Sequence, residues 1–466
     1  MKKKLFLFLF ATSVIFSSCF KDLDDEEQFA SVQEIQDFIY RGLNYFYLYK
    51  ADTPELANDA FTSEDEKNNF INSYSTPEAL FDYLKSSQDR FSILVDDYIE
   101  LENALNGVTL NNGMEFGLVR YPDGSSNVFG YVRYILPNSS AESTILERGS
   151  IFTTVDGQQL TENNFSSLLA PDTYTIGLAT YNGTAITPTS DTVSLTKTQY
   201  SENPIYIART LTINGMNIGY LMYNAFTSEF DSQLNAVFAQ FQADGITDLV
   251  LDLRYNGGGS VRTATYLASM ITGQNTGQLY FSEQWNADRQ IEYAENGLFV
   301  DSFTGGGEAI NSLNLNRVYV LATGRTASAS ELVINGLDPY ITVNQVGGNT
   351  TGKFQASFLL YDAPAPGFSR SQANPRHTYA MLPLVFKTAN ANGVTDFIDG
   401  LVPDFPLDED YSNLGVLGDP SEPLLTVALN DILPSPIPLR ASFNVLEEIS
   451  ESKASSPVYQ IMIAEQ

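Results

Sequence analysis

Four short segments hold residues whose types and order suit acyl transfer: Asp252-Leu253-Arg254-Tyr255-Asn256-Gly257-Gly258-Gly259, Thr326-Ala327-Ser328-Ala329-Ser330-Glu331, Gly352-Lys353 and Gly400-Leu401-Val402-Pro403-Asp404. The glycine run follows an apolar strand, where a backbone without Cβ atoms can turn its amides toward a ligand and serve as an oxyanion hole. Ser328 follows one apolar run and precedes another (Leu332, Val333, Leu337), which sets its hydroxyl at a helix N-terminus, where developing negative charge is stabilised. A serine is a poor nucleophile until a base takes its proton, and the usual base, histidine, occurs once, as His377. A lysine can take that role if burial pushes its pKa well below about 10.4, because desolvation disfavours the ammonium form. Lys353 stands in a glycine-flanked turn, twenty-five positions after Ser328.

Blander readings compete with each of these. Ser328 and Ser330 also suit simple helix caps, the commoner fate of serine before an apolar helix. Gly347-Gly348-Asn349-Thr350-Thr351-Gly352-Lys353 satisfies the GxxxxGK of a phosphate-binding loop, but Phe354 replaces the magnesium-binding hydroxyl and residues 354–360 alternate like a strand, so nucleotide binding is rejected. Glu331 reads as structural, favouring the first helical turn. His377 reads as a loop or surface histidine, and the lone Trp285 has no assigned role.

Taken in this order and spacing, the four segments resemble the C-terminal processing peptidases, also called tail-specific proteases. The resemblance implies a serine-lysine dyad on a core related to Clp protease and crotonase, with Ser328 as nucleophile and Lys353 as base. It also implies oxyanion donors at Gly258, or its neighbour Gly257, and Ala329, with no cofactor and no metal. Many members carry Gln four positions after the lysine; here that position is Ser357, and Gln355 lies two positions after. On a strand, 353, 355 and 357 share a face, so either Gln355 or Ser357 is expected to reach the lysine.

The elements that must position these residues read as a multidomain α/β chain. Residues 31–104 are expected to be helical: Ser31 with Glu34 forms a capping-box pattern, Val32, Ile35, Phe38, Ile39 and Phe46 recur at helical spacing, and Thr76-Pro77 opens a second helix. Residues 105–198 switch to short alternating strands with Gly, Asn and Asp turns and resemble a PDZ domain. Gly113-Met114-Glu115-Phe116-Gly117-Leu118 sits where that family has its carboxylate-binding loop, which implies peptide binding at Phe116, Gly117 and Leu118. The later signature ends in Val155-Asp156-Gly157, with Ser150 in place of the usual Asp. Such a domain adds a peptide C-terminus to its sheet as an extra strand. Residues 199–440 alternate strands (216–222, 246–253, 317–322) with helices such as 228–243, which argues a parallel or mixed sheet covered by helices. Residues 441–466 form a tail, and the proline-bearing segment after Asp410 either packs as an oligomer contact or wraps the core.

Composition and the N-terminus bound the setting. With 25 Lys+Arg against 56 Asp+Glu, the 466-residue chain has a formal charge of −31 and no Lys/Arg cluster that acts as a local exception, which argues against nucleic-acid binding. Its single cysteine permits no intramolecular disulfide. Residues 1–18 read as a secretory signal, with Lys2, Lys3 and Lys4 before an apolar run. Ser17-Ser18-Cys19 resembles the lipobox of bacterial lipoproteins, although Phe16 replaces the usual Leu. Lipidation of Cys19 is therefore expected, with residues 19–30 as an acidic leash and the body held at the cell envelope, on the outer membrane of a Gram-negative bacterium.

The expected function is a lipid-anchored serine endopeptidase that recognises protein C-terminal tails. The alternative is a catalytically inactive peptide- or ligand-binding lipoprotein of the same architecture, motivated by Ser357 and Ser150. Oligomeric state is not legible.

Overall fold

The computed structural model describes residues 29–439 and 446–465; the expected signal peptide, Cys19 and most of the acidic leash lie outside them. The first helix, Val32–Phe46, begins where the sequence places it. Ser31 Oγ accepts from the Glu34 amide, and the Glu34 carboxylate returns to the Ser31 amide at 2.8 Å. Thr76 caps Pro77–Leu84 by accepting the Ala79 amide, and Asp97 caps Tyr98–Leu105 by accepting those of Ile99 and Glu100. This helical region does not have a core of its own. Phe46 packs edge-on against Tyr293, Phe358 and Phe368, and Trp285 joins the same aromatic cluster. A short strand, Ile93–Val95, pairs antiparallel with Ala380–Leu382.

The second region is an antiparallel β unit built on Met114–Arg120, Val128–Ile135, Ile151–Val155, Thr173–Tyr181 and Ile186–Thr196, with a short helix at Phe165–Leu169. It buries its own cluster, including Phe116, Leu118, Val132, Phe152 and Ile176.

The third region follows from strand periodicity. Met216–Tyr223, Asp248–Asp252, Arg317–Ala322 and Thr342–Gly347 run parallel and adjacent, with Ile205–Ile213 added antiparallel at one edge. Alternate residues point to opposite faces. Leu249, Leu251, Val318 and Val320 pack with Asp231–Asp244, Val261–Ile271 and Ala329–Leu337, whereas Val250, Tyr319 and Leu321 pack with Pro423–Ile432. The sheet is therefore buried on both sides, which explains its nearly continuous apolar strands. A second, mixed sheet runs in the order Gly259–Ser260, Met462–Ile463, Gln355–Ser357, Leu384–Ala389, Leu279–Trp285, Asn296–Leu298.

The C-terminal segment wraps the body. Glu448–Glu451 pairs antiparallel with Met114–Arg120 of the β unit, and Met462–Ile463 pairs parallel with Gly259–Ser260 and with Ser357. Because backbone pairing holds these strands, their side chains carry no apolar period that a sequence reading can detect. Among the described residues no helix is long and apolar enough to cross a membrane. His377 lies in a loop, but its side chain is covered and sits 3.0 Å from Asp362, so it is not a surface residue.

Removing the Phe46 ring would leave a cavity between the helical region and the core. Phe46→Ala is expected to cost about 3–5 kcal/mol of stability in urea unfolding; a loss under 1 kcal/mol would show that this contact is not what joins the two.

Candidate active site

Parallel strands leave their carboxyl ends on one side of the sheet, and three of the four sequence segments are the loops at those ends. The glycine turn follows Asp248–Asp252, the Ser328 turn follows Arg317–Ala322, and the Lys353 loop follows Thr342–Gly347. Beneath the first, Arg254 is wholly buried and pairs with Asp252 and Glu422, both at 2.7 Å, which anchors the strand end from below. The fourth segment closes over the lysine loop: Leu401 O accepts from the Thr350 amide at 3.1 Å, and a Cβ on Gly400 would stand 2.0 Å from Thr350 O.

Asn256 joins the first two loops. Its side chain donates to Tyr223 O and accepts the Gly258 amide, each at 2.8 Å. Its own carbonyl accepts the Ala327 amide and the Ser330 hydroxyl. The Gly258 amide expected to bind an oxyanion is thus engaged by Asn256, while the Gly257 amide makes no hydrogen bond to another described residue. The Ala329 amide, at the first position of its helix, has no intrahelical partner. Gly258 adopts φ +106°, and a Cβ there would lie 2.6 Å from Ser328 Cβ and 2.4 Å from Ile461 O. Only glycine fits so tight an approach.

Ser328 is fully buried at φ +67°, a conformation that a residue with a Cβ holds only under strain. Its Oγ makes no hydrogen bond to a described residue, so it is not spent on capping the helix. Glu331 holds the turn instead. One carboxylate oxygen accepts the amides of Ser328 at 2.7 Å and Lys353 at 2.8 Å; the other accepts the Gly352 amide and the Thr350 hydroxyl. Burial pushes the Glu331 acid up, and these four hydrogen bonds oppose that shift. The serine turn and the lysine loop are therefore bound to a single carboxylate.

The Lys353 side chain is wholly buried. Burial lowers its pKa to about 7, against the opposing pull of Asp89 and Glu331. Phe91, from the N-terminal region, places its ring 4.9 Å from Nζ, and the neighbouring Arg90 donates to Gly352 O. Nζ itself donates to the carbonyl of Gln460 at 2.8 Å. Neither expected orienting residue is bonded to it. The Gln355 amide donates to Tyr49 Oη, and Ser357 joins the sheet through its carbonyl, which accepts from Ala464. Phe116, Gly117 and Leu118 lie on the strand of the β unit that pairs with Glu448–Glu451.

Sequence reasoning missed Asn256, Phe91 and Gln460. Asn256 carries a local signal, since an Asn side chain accepting the amide two residues on is an Asx turn; the other two reach the site from distant parts of the chain and carry none. Glu331→Ala orphans four buried donors. At about 1–3 kcal/mol each, the loss expected in urea unfolding is about 4 kcal/mol or more, with a smaller loss for Glu331→Gln. Equal stability of all three chains would contradict the linking role.

Parts of the chain are similar to known proteins. Residues 217–361 match the model of peptidase family S41, and residues 34–93 match the peptidase S41 N-terminal domain. The chain is 28% identical over 234 residues to the carboxyl-terminal-processing protease of Picosynechococcus sp., covering 49% of this chain and 52% of that one. It is 25% identical over 262 residues to the chloroplastic C-terminal processing peptidase of Tetradesmus obliquus, covering 54% and 53%. The chain thus spans about half the length of these curated relatives. A crystal structure from Bacteroides fragilis, of a chain described as an S41 protease, matches at TM-score 0.67 and 26% identity over 85% of this chain and 96% of that one. Gly258, Ser328 and Lys353 all fall inside the segment that matches peptidase family S41.

Proposed function

We propose that the protein is a serine endopeptidase in which Lys353 is the general base for Ser328. The observation that carries this reading is a buried lysine with its pKa lowered to about 7, held through Glu331 to the turn of a strained, unpaired serine. In the neutral form Lys353 takes the Ser328 proton as Oγ attacks a peptide carbonyl. The amides of Ala329 and of the Gly257-Gly258 turn receive the oxyanion; the turn contributes Gly257 directly and Gly258 once its bond to Asn256 gives way. The Lys353 ammonium returns the proton to the leaving amine. A water, deprotonated by Lys353, then hydrolyses the acyl-enzyme, and no metal or organic cofactor is called on.

The β unit acts as a PDZ-type receptor. An extended substrate tail adds to Met114–Arg120, at Phe116, Gly117 and Leu118, along the edge that Glu448–Glu451 occupies here, as strand addition requires. The hydrogen bond from Lys353 to Gln460, in place of one to Ser328, is the observation that favours a peptide-binding relative without turnover.

Turnover separates the two readings. Hydrolysis of an unfolded protein with an apolar C-terminus is expected to fall by about 10³-fold or more in Ser328→Ala and Lys353→Ala. In the parent, kcat/KM should rise as pH passes upward through about 7, because only the neutral lysine accepts a proton. Unchanged turnover in Lys353→Ala, or a rate that falls with rising pH in that window, would remove Lys353 as the base.

We also propose that Cys19, following the lysine-led apolar run, carries a lipid that holds the enzyme at the cell envelope. Cys19→Ala is then expected to move the protein from the membrane fraction to the soluble fraction; retention at the membrane would contradict the anchor.

A further inference from the structure

Residues 446–465 follow one path from the β unit to the active site. Glu448–Glu451 occupies the edge of Met114–Arg120, antiparallel, on the strand expected to receive a peptide. The pairing continues with the Ser452 amide on Phe116 O at 3.0 Å and the Phe116 amide on Ser452 Oγ at 3.3 Å. Downstream, Gln460 O takes the hydrogen bond from Lys353 Nζ, and Ile461 O takes the amide of Gly259 at 2.8 Å. Ile461 O and Ser328 Oγ both come within 3 Å of the place where a Gly258 Cβ would stand, at 2.4 and 2.9 Å. Met462–Ile463 then lies between Gly259–Ser260 and Gln355–Ser357 as a bridging strand. A cavity of about 1230 Å³ runs along the same route and is lined by Phe116, Leu118 and Phe165 of the β unit, by Gly258 and by the segment itself.

The acidic side chains of this segment meet two arginines on the way. Arg133, buried in the β unit, pairs with Glu451 and, at 2.7 Å, with Glu448, while its guanidinium stacks 4.6 Å from the Tyr255 ring. Arg325, in the Ser328 turn, pairs with the same Glu448 oxygen at 2.7 Å and donates to Tyr459 Oη at 2.8 Å. A buried guanidinium left without a carboxylate is costly, so whatever fills this edge must bring negative charge with it. The segment does not present a carbonyl for cleavage: the Gly258 amide remains on Asn256, and the base is tied to Gln460.

We propose that Arg133 and Arg325 form a carboxylate-reading subsite of a single peptide channel that ends at Ser328, and that residues 446–465 fill this channel as an internal ligand. The enzyme described here is then latent. An extended segment with acidic residues three apart is the class of chain suited to displace the internal one, and the inference rests on the peptidase reading of the same site.

The test uses full-length Ser328→Ala chains, so that binding is read without turnover, and a fluorescent peptide with the sequence of residues 446–465. The otherwise unaltered chain is expected to bind it weakly, and the chain carrying Glu448→Gln and Glu451→Gln at least about tenfold more tightly. A peptide with the same two replacements should bind that opened chain at least about tenfold more weakly. Equal affinity of the two chains, or of the two peptides, would overturn the proposal. Should the double variant fail to fold, a chain ending at Leu439 that melts cooperatively serves in its place, with the same expectation. With Ser328 restored, the opened chain should also turn over unfolded protein faster. If binding behaves as stated but no chain hydrolyses, the channel stands and the peptidase reading falls; turnover with unaltered binding has the opposite meaning.

Discussion

A single buried carboxylate organises the active centre. Glu331 accepts from Ser328, Thr350, Gly352 and Lys353, and so joins a helix N-terminus to a loop that follows a different strand. The Ser328 backbone at φ +67° carries strain of about 1–3 kcal/mol, and four hydrogen bonds to one acceptor can hold it there. None of the four uses Ser328 Oγ or Lys353 Nζ, so the carboxylate fixes the two loops without engaging either side-chain atom.

The second constraint is the removal of water from Lys353. Burial lowers its pKa by opposing the charged form, and the two nearby carboxylates, Asp89 and Glu331, work the other way. The walls come from three regions far apart in sequence: Phe91 of the helical region, the sheet core, and Gln460 of the C-terminal segment. The helical region also shares one hydrophobic core with the sheet, in which Phe46 packs against Trp285. Through Phe91 the same region covers Lys353 Nζ.

Much of this was legible because it is local. The Ser31–Glu34 box, the strand at Arg317–Ala322 and the glycine run after a buried strand each depend on neighbours within a few residues. The spacing from Ser328 to Lys353 was readable because one helix and one strand lie between them. Glu331 was read as a helix-start residue, which is half of its role; its bonds to Thr350, Gly352 and Lys353 depend on the tertiary fold. Gln355 and Ser357 were placed on a face with the lysine by strand alternation, but the irregular register between Ala356 and Ser357 and the pairing of Gln355 with Tyr49 take them elsewhere. The C-terminal segment stayed open because its docking uses backbone edges and two glutamates, and an acidic chain offers many such pairs.

The most direct test of the account is covalent labelling with a serine-directed fluorophosphonate, mapped by mass spectrometry on the chain with its C-terminal segment loosened by Glu448→Gln and Glu451→Gln. The account predicts one label, on Ser328, forming faster as pH rises through about 7 and lost in Lys353→Met. A label on Ser330 or another serine, or labelling of Ser328 that is indifferent to both pH and Lys353, would contradict it.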